Sequence, residues 1–388
     1  MRFALIIALL VYGSCHSQEM RIGLLRSLKL KNVAMEFHKG VYHVYADTTF
    51  IGDLDQGEKL GVSLSGDKVA LRYKGVAKGS FSKIMILQDT SHSSLYVRAT
   101  SPASKLHTYQ GSFECSSEGN RIRLVNVVDM NSYLAGVIES EGGGGRHLEY
   151  YKVQALMSRT YAFQNKKRHA KEGFELCDNV HCQAYHNMLK RTPKIRTAVE
   201  ETDGEVIVDH ANKMLTTYFS ANCGGQTCDA SHVWNNSVAY CESFLDTFCI
   251  HTKQATWVKY IERTKWLSYL SKEYGFDSNN DQLLDLAFSF KQEQRKAFYI
   301  HPSLGIPMRD LRKKFRLKST FFDVSLDGDR VKLEGRGFGH GVGLCQEGAM
   351  NMAKAGFSYK QIATFYFTGV TVLNYERLDF FNQENSEL

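Results

Sequence analysis

The sequence predicts an α+β fold, because strand patterns dominate its first third and helical patterns appear later. Between residues 20 and 125, short runs such as 41–45 and 94–98 alternate apolar with polar side chains, as half-buried strands do. Clusters of Gly, Asp and Ser separate these runs and predict turns. From residue 148 onward, apolar residues recur at helical spacing and predict a helix to about residue 169. We therefore expect a β-rich region followed by a mixed α/β core.

The rest of the chain supplies this core and an insertion. Residues 121–128 predict a strand, and residues 133–139 lead on to an acidic, glycine-rich loop. In chain order, the other predicted elements are a hairpin (205–208 with 215–220), helices within 257–274 and 282–288, strands at 321–326 and 331–334, and a final helix from about 345 to 355. We expect three segments: a β-rich accessory region (20–120), a core (121–255 with 317–376) and an inserted helical segment (256–316).

The first seventeen residues have the layout of a secretory signal. Arg2 precedes an apolar run of about ten residues, which is too short to span a bilayer, and small or polar residues follow as far as Ser17. Cleavage after Ser17 is one outcome, and lipid attachment at Cys15 is the other. We therefore expect an exported protein, periplasmic or in the cell envelope, with no transmembrane helix in the mature chain.

Composition excludes two classes of protein. With 43% hydrophobic residues and only four prolines, the chain can build a core and lacks the signature of disorder. The net charge of +7 is scattered, and no basic stripe suggests a nucleic-acid partner. This mild positive balance suits work near an anionic surface.

Cysteine and histidine cluster at one place in the middle of the chain. His169, Cys177, His181 and Cys182 lie within fourteen residues and have the composition of a zinc site, although the spacing is not that of a standard finger. A Cys177–Cys182 disulfide with two surface histidines is the alternative.

Further cysteines follow in a loop-rich stretch. Cys223, Cys228, Cys241 and Cys249 predict at least one disulfide bond in an oxidising compartment.

A glycine-rich run at 335–343 is the first candidate for a ligand-facing loop. It resembles a dinucleotide fingerprint, but it lies near the C-terminus and outside a βαβ unit. Glycines on both sides of His340 let a ligand approach the backbone. We therefore expect this run to present His340 and Gln346 to a cleft.

Glu139 and Glu141 form the second candidate, just before four consecutive glycines. A carboxylate at the end of a strand, with glycines beyond it, can reach into an open cleft; two solvated glutamates in a loop are the alternative. Arg159 falls on the apolar face of the next predicted helix. It either snorkels at the edge of that face or is buried and paired with a carboxylate.

Four motifs, in order, resemble those of a known family. They are the YLAGVIESE run at 133–141, the KVQALMSRTY run at 152–161, the YFS and GGQT pair at 218–220 and 224–227, and the GRGFGHGVGLCQEGA run at 335–349. Together they are similar to the SpoIID/LytB family, named for the stage II sporulation protein D and an amidase enhancer. The resemblance covers residues ~20–375 and is weakest in the insertion.

The resemblance implies lytic transglycosylase activity on the glycan strands of peptidoglycan. It places the catalytic glutamate at Glu141 and a supporting arginine at Arg159, and it implies zinc at Cys177, His181 and Cys182. We take His169 as the fourth ligand, and Gln226, His340 and Gln346 as substrate-binding residues.

The chain departs from the family at two points. Gly142-Gly143 replaces a usual Met-Pro, which predicts a more flexible loop, and Gln226 stands where a lysine is frequent.

The implied mechanism needs one carboxylic acid rather than the usual two. The acid protonates the oxygen between MurNAc and GlcNAc and then, as a carboxylate, deprotonates the C6 hydroxyl, which closes a 1,6-anhydro ring. A general acid must be protonated near neutral pH, so we expect the pKa of Glu141 to be raised by partial desolvation. Glu139 is the rival, because on a strand both glutamates would share a face.

Two other functions compete with this one. The first is a non-catalytic peptidoglycan-binding protein that enhances a cell-wall amidase. The second is a zinc hydrolase using the His/Cys cluster, although two thiolates are more typical of structural zinc.

Overall fold

A computed structural model of the chain describes residues 18–378. The predicted signal segment and Cys15 lie outside these residues. The described chain is 28% helix and 33% strand, so the α+β prediction is confirmed. None of the helices within residues 18–378 combines the length and the apolar character that crossing a membrane requires.

The chain forms two compact units. One comprises the residues up to Tyr133 together with Arg168–Met188, and the other comprises Leu134–Lys167 together with Leu189 onward. The cysteine- and histidine-rich loop thus belongs to the first unit, whereas our predicted segments had placed it in the core.

The first unit consists of antiparallel strands in two sheets. In chain order they are β1 (Glu19–Leu24), β2 (Asn32–Lys39), β3 (Tyr42–Ala46), β4 (Thr49–Leu54), β5 (Lys59–Ser65), β6 (Lys68–Tyr73), β7 (Val76–Phe81), β8 (Lys83–Gln88), β9 (Ser94–Ser101), β10 (His107–Gln110), β11 (Ser112–Glu118), β12 (Arg121–Asp129) and the two-residue β13 (Leu176–Cys177). One sheet has the order β13-β1-β12-β11-β8-β3-β4, and the other has β10-β9-β2-β5-β6-β7. Strand β13 alone runs parallel to its neighbour β1.

Alternation explains why these runs are strands. In β12 the buried residues Ile122 and Leu124 alternate with half-buried arginines, so one face enters the core and the other faces solvent. Strand β12 pairs with both β1 and β11, which places it in the middle of its sheet.

Helices dominate the second unit. In chain order they are α1 (Met130–Gly142), which begins in the first unit, α2 (Leu148–Gln164), α3 (Pro193–Glu201), α4 (Ser231–Trp234), α5 (Arg263–Tyr274), α6 (Asp281–Phe288), α7 (Met308–Phe315), α8 (Gln346–Lys354) and α9 (Tyr359–Tyr366). Helix α2 is buried on most of its surface, as a central core helix is. Helix α9 starts with a capping box formed by Ser358 and Gln361.

Short strands join distant parts of the second unit. They are β14 (Glu205–Val208), β15 (Phe219–Ser220), β16 (Thr256–Glu262), β17 (Phe322–Asp327), β18 (Arg330–Arg336), β19 (Leu344–Cys345) and β20 (Thr371–Asn374). Strand β14 pairs with β20, and β15 pairs with β19. The hairpin predicted at 205–208 and 215–220 is present only next to its turn, where Val208 forms an antiparallel bridge with Met214 and the Leu215 N–H donates to the Ile207 carbonyl at 3.1 Å. The predicted insertion opens with a strand, because β16 pairs with β18.

Candidate active site and cysteine clusters

A cleft of about 300 Å³ in the second unit brings two of the predicted site residues together. Glu141 enters it from the last turn of α1, and Gln346 enters it from the first turn of α8. The full lining comprises Glu141, Gly142, Arg146, Ala221, Thr252, Gln254, Gln346, Glu347, Met350, Asn351 and Lys354. Acidic, basic and amide side chains converge there, as in a site for a polar ligand.

Glu139 and Glu141 lie on a helix and not on a strand, which corrects our expectation. Two positions on a helix differ by about 200°, so these side chains point to opposite faces. The carboxylate oxygens of Glu139 accept the backbone N–H groups of Lys190 (2.8 Å) and Arg191 (3.0 Å). Glu139 thus holds a loop in place, whereas Glu141 lines the cleft.

A signal for this helix was present in the sequence. The Asp129 carboxylate accepts the backbone N–H of Ser132 at 3.0 Å, which is the geometry of a helix N-cap.

The glycine loop after Glu141 is held by a tyrosine rather than left free. Gly143 (φ 64°) and Gly145 (φ 75°) adopt left-handed backbone conformations, which explains why glycine stands there. The Tyr151 hydroxyl donates to the Gly143 carbonyl at 3.1 Å and accepts the Arg146 backbone N–H at 3.0 Å. This pair of hydrogen bonds restrains the segment that replaces Met-Pro.

A neighbouring tyrosine lies beneath the same loop. The Tyr150 ring is fully buried, and a Cβ on Gly142 would lie 3.6 Å from its hydroxyl oxygen. Burial raises the pKa of the Tyr150 phenol, so the hydroxyl keeps its proton. Within residues 18–378 the buried Tyr150 hydroxyl has no hydrogen-bond partner.

Glu347 is a second carboxylate of the cleft that we did not single out from the sequence. One of its oxygens accepts the Asn222 amide at 2.7 Å and the Thr252 hydroxyl, while its backbone N–H donates to the Ala221 carbonyl at 3.1 Å. These contacts fix the position of the Glu347 side chain. An acid directly after Gln346 in the closing motif was the available signal.

Arg159 is buried but does not line the cleft. It is 1% exposed, and its guanidinium donates to the backbone carbonyls of Val199 (3.1 Å), Thr202 (2.6 Å) and Glu205 (3.2 Å). Val199 and Thr202 belong to the last turn and C-cap of α3, where a cation is favoured by the helix dipole. Burial lowers the pKa of Arg159 to about 10. Arg159 is thus buried, as one of the two alternatives had it, but carbonyl groups take the place of the carboxylate partner that this alternative predicted.

Gln226 is engaged with the protein itself. Its side-chain amide donates to the Ser243 hydroxyl at 3.1 Å, and its amide oxygen accepts the Arg295 backbone N–H at 2.9 Å. It is 9% exposed and is absent from the lining of the cleft. A substrate-binding role for Gln226 therefore stays a prediction.

His340 also lies outside that lining. Its Nδ1 accepts the Val342 backbone N–H at 3.0 Å, and its ring lies 5.3 Å from that of Trp234. Burial, together with Arg312 and Arg295, lowers the pKa of His340 to about 4, so the imidazole is neutral at neutral pH. The glycine-rich run thus presents Gln346 to the cleft and buries much of His340.

The predicted zinc ligands come together in the first unit. The ligand atoms of His169, Cys177, His181 and Cys182 all lie within 4.8 Å of one another. Cys182 Sγ is 3.4 Å from His169 Nε2 and 3.6 Å from His181 Nδ1, and Cys177 Sγ is 3.7 Å from His181 Nδ1. A hydrogen bond from Cys182 lowers the pKa of the Cys177 thiol, which favours the thiolate that binds metal.

Charged residues around this cluster fix the orientation of His169. The Glu172 carboxylate lies 2.5 Å from His169 Nδ1, which leaves Nε2 to face the cysteines, as carboxylates do behind zinc-bound histidines. Arg26 holds Glu172 at 2.5 Å and Glu118 at 2.6 Å. Two thiols and two imidazoles with such support fit a closed tetrahedral zinc site.

The predicted disulfide bonds are not formed in residues 18–378. All eight cysteines of this part, including Cys223, Cys228, Cys241 and Cys249, are unpaired thiols. Cys223 and Cys249 instead meet Cys345 and Asp246 in a second buried group.

Comparison with known proteins agrees with these motifs. The family model described as "SpoIID: Stage II sporulation protein" matches residues 118–208. An uncharacterised protein of Brachyspira hyodysenteriae is 28% identical over 275 residues, which are 70% of this chain and 74% of that protein.

Two named relatives come from Bacillus subtilis strain 168. Stage II sporulation protein D is 25% identical over 263 residues, covering 64% of this chain and 75% of that protein. Amidase enhancer is 29% identical over 294 residues, covering 62% of this chain, but the match spans only 40% of that longer relative.

The fold and cleft define an α+β protein with a polar site that two carboxylates line. The matches above make the chain similar to the SpoIID/LytB family, and the resemblance drawn from the four motifs is confirmed.

Proposed function

We propose that this protein is a peptidoglycan lytic transglycosylase that cleaves between MurNAc and GlcNAc and leaves 1,6-anhydro-MurNAc ends. One observation carries the proposal: Glu141 lines an open polar cleft, while its rival Glu139 is occupied by two backbone N–H groups. A role in the bacterial cell wall is supported by the similarity to the SpoIID/LytB family. We also propose that the chain is exported to the periplasm or cell envelope, where this substrate lies.

In this mechanism Glu141 acts as the general acid and then as the base. Its proton passes to the glycosidic oxygen as the bond to the muramyl C1 breaks. The carboxylate then takes the proton of the C6 hydroxyl, and that oxygen bonds to C1, so no water is consumed. Positive charge develops at C1 in the transition state, and the Glu347 carboxyl group lines the same cleft. We assign Glu347 to the electrostatic stabilisation of that charge.

Gln346, Arg146 and Lys354 contribute further polar groups to the lining. Amide and basic side chains suit the N-acetyl, hydroxyl and carboxylate groups of an amino-sugar polymer. We therefore propose Gln346 as a substrate-binding residue, in agreement with its prediction from the closing motif.

We propose that zinc at His169, Cys177, His181 and Cys182 is structural. Bound there, it would hold the loop at 168–188 to the edge of the sheet, because Cys177 lies in β13, which pairs with β1. The donor set is closed, with no position left for a substrate. This composition disfavours the zinc hydrolase.

The proposal is tested by digesting purified peptidoglycan and identifying the new glycan ends by mass spectrometry. Glu141→Gln keeps the side-chain shape and removes the proton, so the rate should fall by roughly 10²–10⁴-fold. Glu139→Gln is the matched control on the same helix and should keep most of the activity in the fraction that folds. Unchanged activity of Glu141→Gln would refute the assignment.

The glycan ends decide the role of Glu347. Anhydro ends are expected from the wild-type protein, and Glu347→Gln should slow their formation without changing their chemistry. Ordinary reducing ends would instead mean hydrolysis, with Glu347 as the second carboxylate of a two-acid mechanism.

A non-catalytic enhancer of a cell-wall amidase is the second candidate. It is favoured by the name of one relative, Amidase enhancer, and by Gly142-Gly143 in place of the usual Met-Pro. If it is correct, the Glu141→Gln protein should stimulate an amidase on peptidoglycan as fully as the wild type, and neither should release anhydro ends by itself.

A further inference from the structure

We propose that the second unit contains a zinc site formed by Cys223, Cys249, Cys345 and Asp246. The site is separate in sequence and in donor set from the His/Cys cluster of the first unit. It involves neither Glu141 nor Glu347 and does not depend on the reaction that the cleft performs.

Three segments distant in sequence bring these four side chains together. Cys223 follows β15, and Cys345 ends β19 and caps α8. Asp246 caps the short turn Thr247–Cys249, and Cys249 is its last residue. Each of the four residues is at most 1% exposed. Fully buried thiols and a carboxylate from separate segments need partners for their polar atoms.

The separations within the group suit one metal ion. Cys223 Sγ is 3.2 Å from Asp246 Oδ2 and 3.4 Å from Cys249 Sγ, and the four ligand atoms all lie within 4.8 Å of one another. A tetrahedral zinc with bonds of about 2.3 Å to sulfur separates its ligand atoms by about 3.8 Å. A cluster of several metal ions would need a wider cage.

A disulfide bond explains the group less well. The Cys223 and Cys249 sulfurs lie 3.4 Å apart, compared with about 2.05 Å in a disulfide. That bond would leave the Cys345 thiol and the Asp246 carboxylate buried beside it. Zinc accounts for all four donors at once.

Surrounding groups are arranged to hold the ligands and to offset their negative charge. The Cys223 backbone N–H donates to Cys345 Sγ at 3.2 Å. The Tyr366 hydroxyl donates to Asp246 Oδ2 at 3.0 Å, and the Phe248 backbone N–H donates to Asp246 Oδ1 at 2.9 Å. The buried Arg295 guanidinium donates to the Cys223 carbonyl at 2.5 Å. Such donors stabilise thiolates and carboxylates around a metal.

Gly348 shows how closely this shell is packed. A Cβ at that position would lie 2.1 Å from the Tyr366 hydroxyl oxygen and 2.7 Å from Asp246 Oδ2. Only glycine therefore lets the first turn of α8 approach the group.

The ligands lie next to the cleft-lining residues along the chain. Ala221 precedes Cys223 by two positions, Gln346 follows Cys345 directly, and Thr252 lies three positions after Cys249. A metal at the group would clamp the three segments that form this wall of the cleft. We therefore infer a structural role that fixes the shape of the cleft.

The test is the zinc content of the purified full-length chain, measured by elemental analysis. Wild type should contain two zinc ions per chain, and Cys345→Ser and Asp246→Asn should each lose one. His181→Ala with Cys182→Ser should also lose one, from the first cluster. Cys228→Ser, a buried thiol outside both groups, should keep two. The proposal would be overturned if the His181→Ala/Cys182→Ser protein lost one zinc ion while the Cys345→Ser and Asp246→Asn proteins lost none.

Cobalt substitution covers the case in which a Cys345 variant fails to fold. In the His181→Ala/Cys182→Ser protein the proposed site is intact, so Co²⁺ should give the intense thiolate charge-transfer absorption of a tetrahedral three-sulfur site. Alkylation mapping without reductant should find Cys223 and Cys249 as thiols once metal is removed. A Cys223–Cys249 disulfide together with the absence of a cobalt band would refute the site. That result would not decide the proposed function, which the glycan-cleavage assay tests separately.

Discussion

At the scale of single residues, the most informative pair is Glu139 and Glu141. Their sequence context identified two candidates but could not separate them, because a strand would place both on one face. The helix does separate them, by directing Glu139 to the backbone of Lys190 and Arg191 and Glu141 to the cleft.

Arg159 yields a prediction that distinguishes a catalytic from a structural arginine. Arg159→Met fills a similar volume but removes the guanidinium that donates to three backbone carbonyl oxygens. We expect the free energy of unfolding to fall by about 2–4 kcal/mol, measured by urea denaturation. Activity per folded molecule should change little. An unchanged unfolding midpoint with activity lost would place Arg159 in the chemistry instead.

At the scale of elements, the sequence predicted those with a strong local period and missed those that depend on distant partners. The alternating strands of the first unit and the buried helix α2 follow from their own residues. The pairing of β14 with β20, and of β15 with β19, joins short segments that carry too few residues for a period. The His/Cys cluster was visible because its members are near in sequence. The Cys223, Asp246, Cys249 and Cys345 group was not, because Cys345 lies far along the chain.

An ionic group across three strands predicts a pH dependence. Glu114 on β11 accepts from Arg21 on β1 at 2.8 Å and from Lys83 on β8 at 2.8 Å, and the hydrogen bond to Arg21, with that to Lys83, lowers the pKa of Glu114 to about 2. Because the pKa of Glu114 is lower in the folded than in the unfolded protein, its ionisation stabilises the folded state at pH values above about 4.3, the pKa of an unperturbed glutamate. That contribution disappears as the pH falls from about 4 to about 2.

Glu114→Gln should therefore reduce the free energy of unfolding near pH 7 by about 1 kcal/mol, since partial exposure weakens the pair. The difference from wild type should shrink below pH 4 and vanish near pH 2. Glu36→Gln, at an exposed position of β2, is the control and should show no such trend. A constant difference at every pH would mean that packing rather than charge is responsible.

At the scale of the whole molecule, each unit contains its own cysteine-based cluster. The first ties the loop at 168–188 to the sheet of the first unit, since β13 pairs with β1. The second joins three segments of the other unit. The two groups therefore stabilise different parts of the chain.

Disruption of the first cluster should act locally. In the His181→Ala/Cys182→Ser protein, hydrogen–deuterium exchange should quicken most in residues 168–188 and in β1, because the metal no longer holds the loop. Exchange in α9 and β14 should stay close to wild type. Equal protection of residues 168–188 in both proteins would contradict a structural metal there.

The pairing of β14 with β20 has a consequence for how the second unit is made. During synthesis residues 205–208 emerge long before residues 371–374, so β14 cannot form its pairing with β20 until that later segment has been made. Val206 and Val208, fully buried in the finished protein together with Leu378, stay uncovered in the meantime. Contacts so distant along the chain slow folding and expose apolar strand edges to aggregation. This unit is therefore completed only after β20 has been synthesised, and a chain that stalls before β20 exposes an unpaired apolar strand edge to other chains.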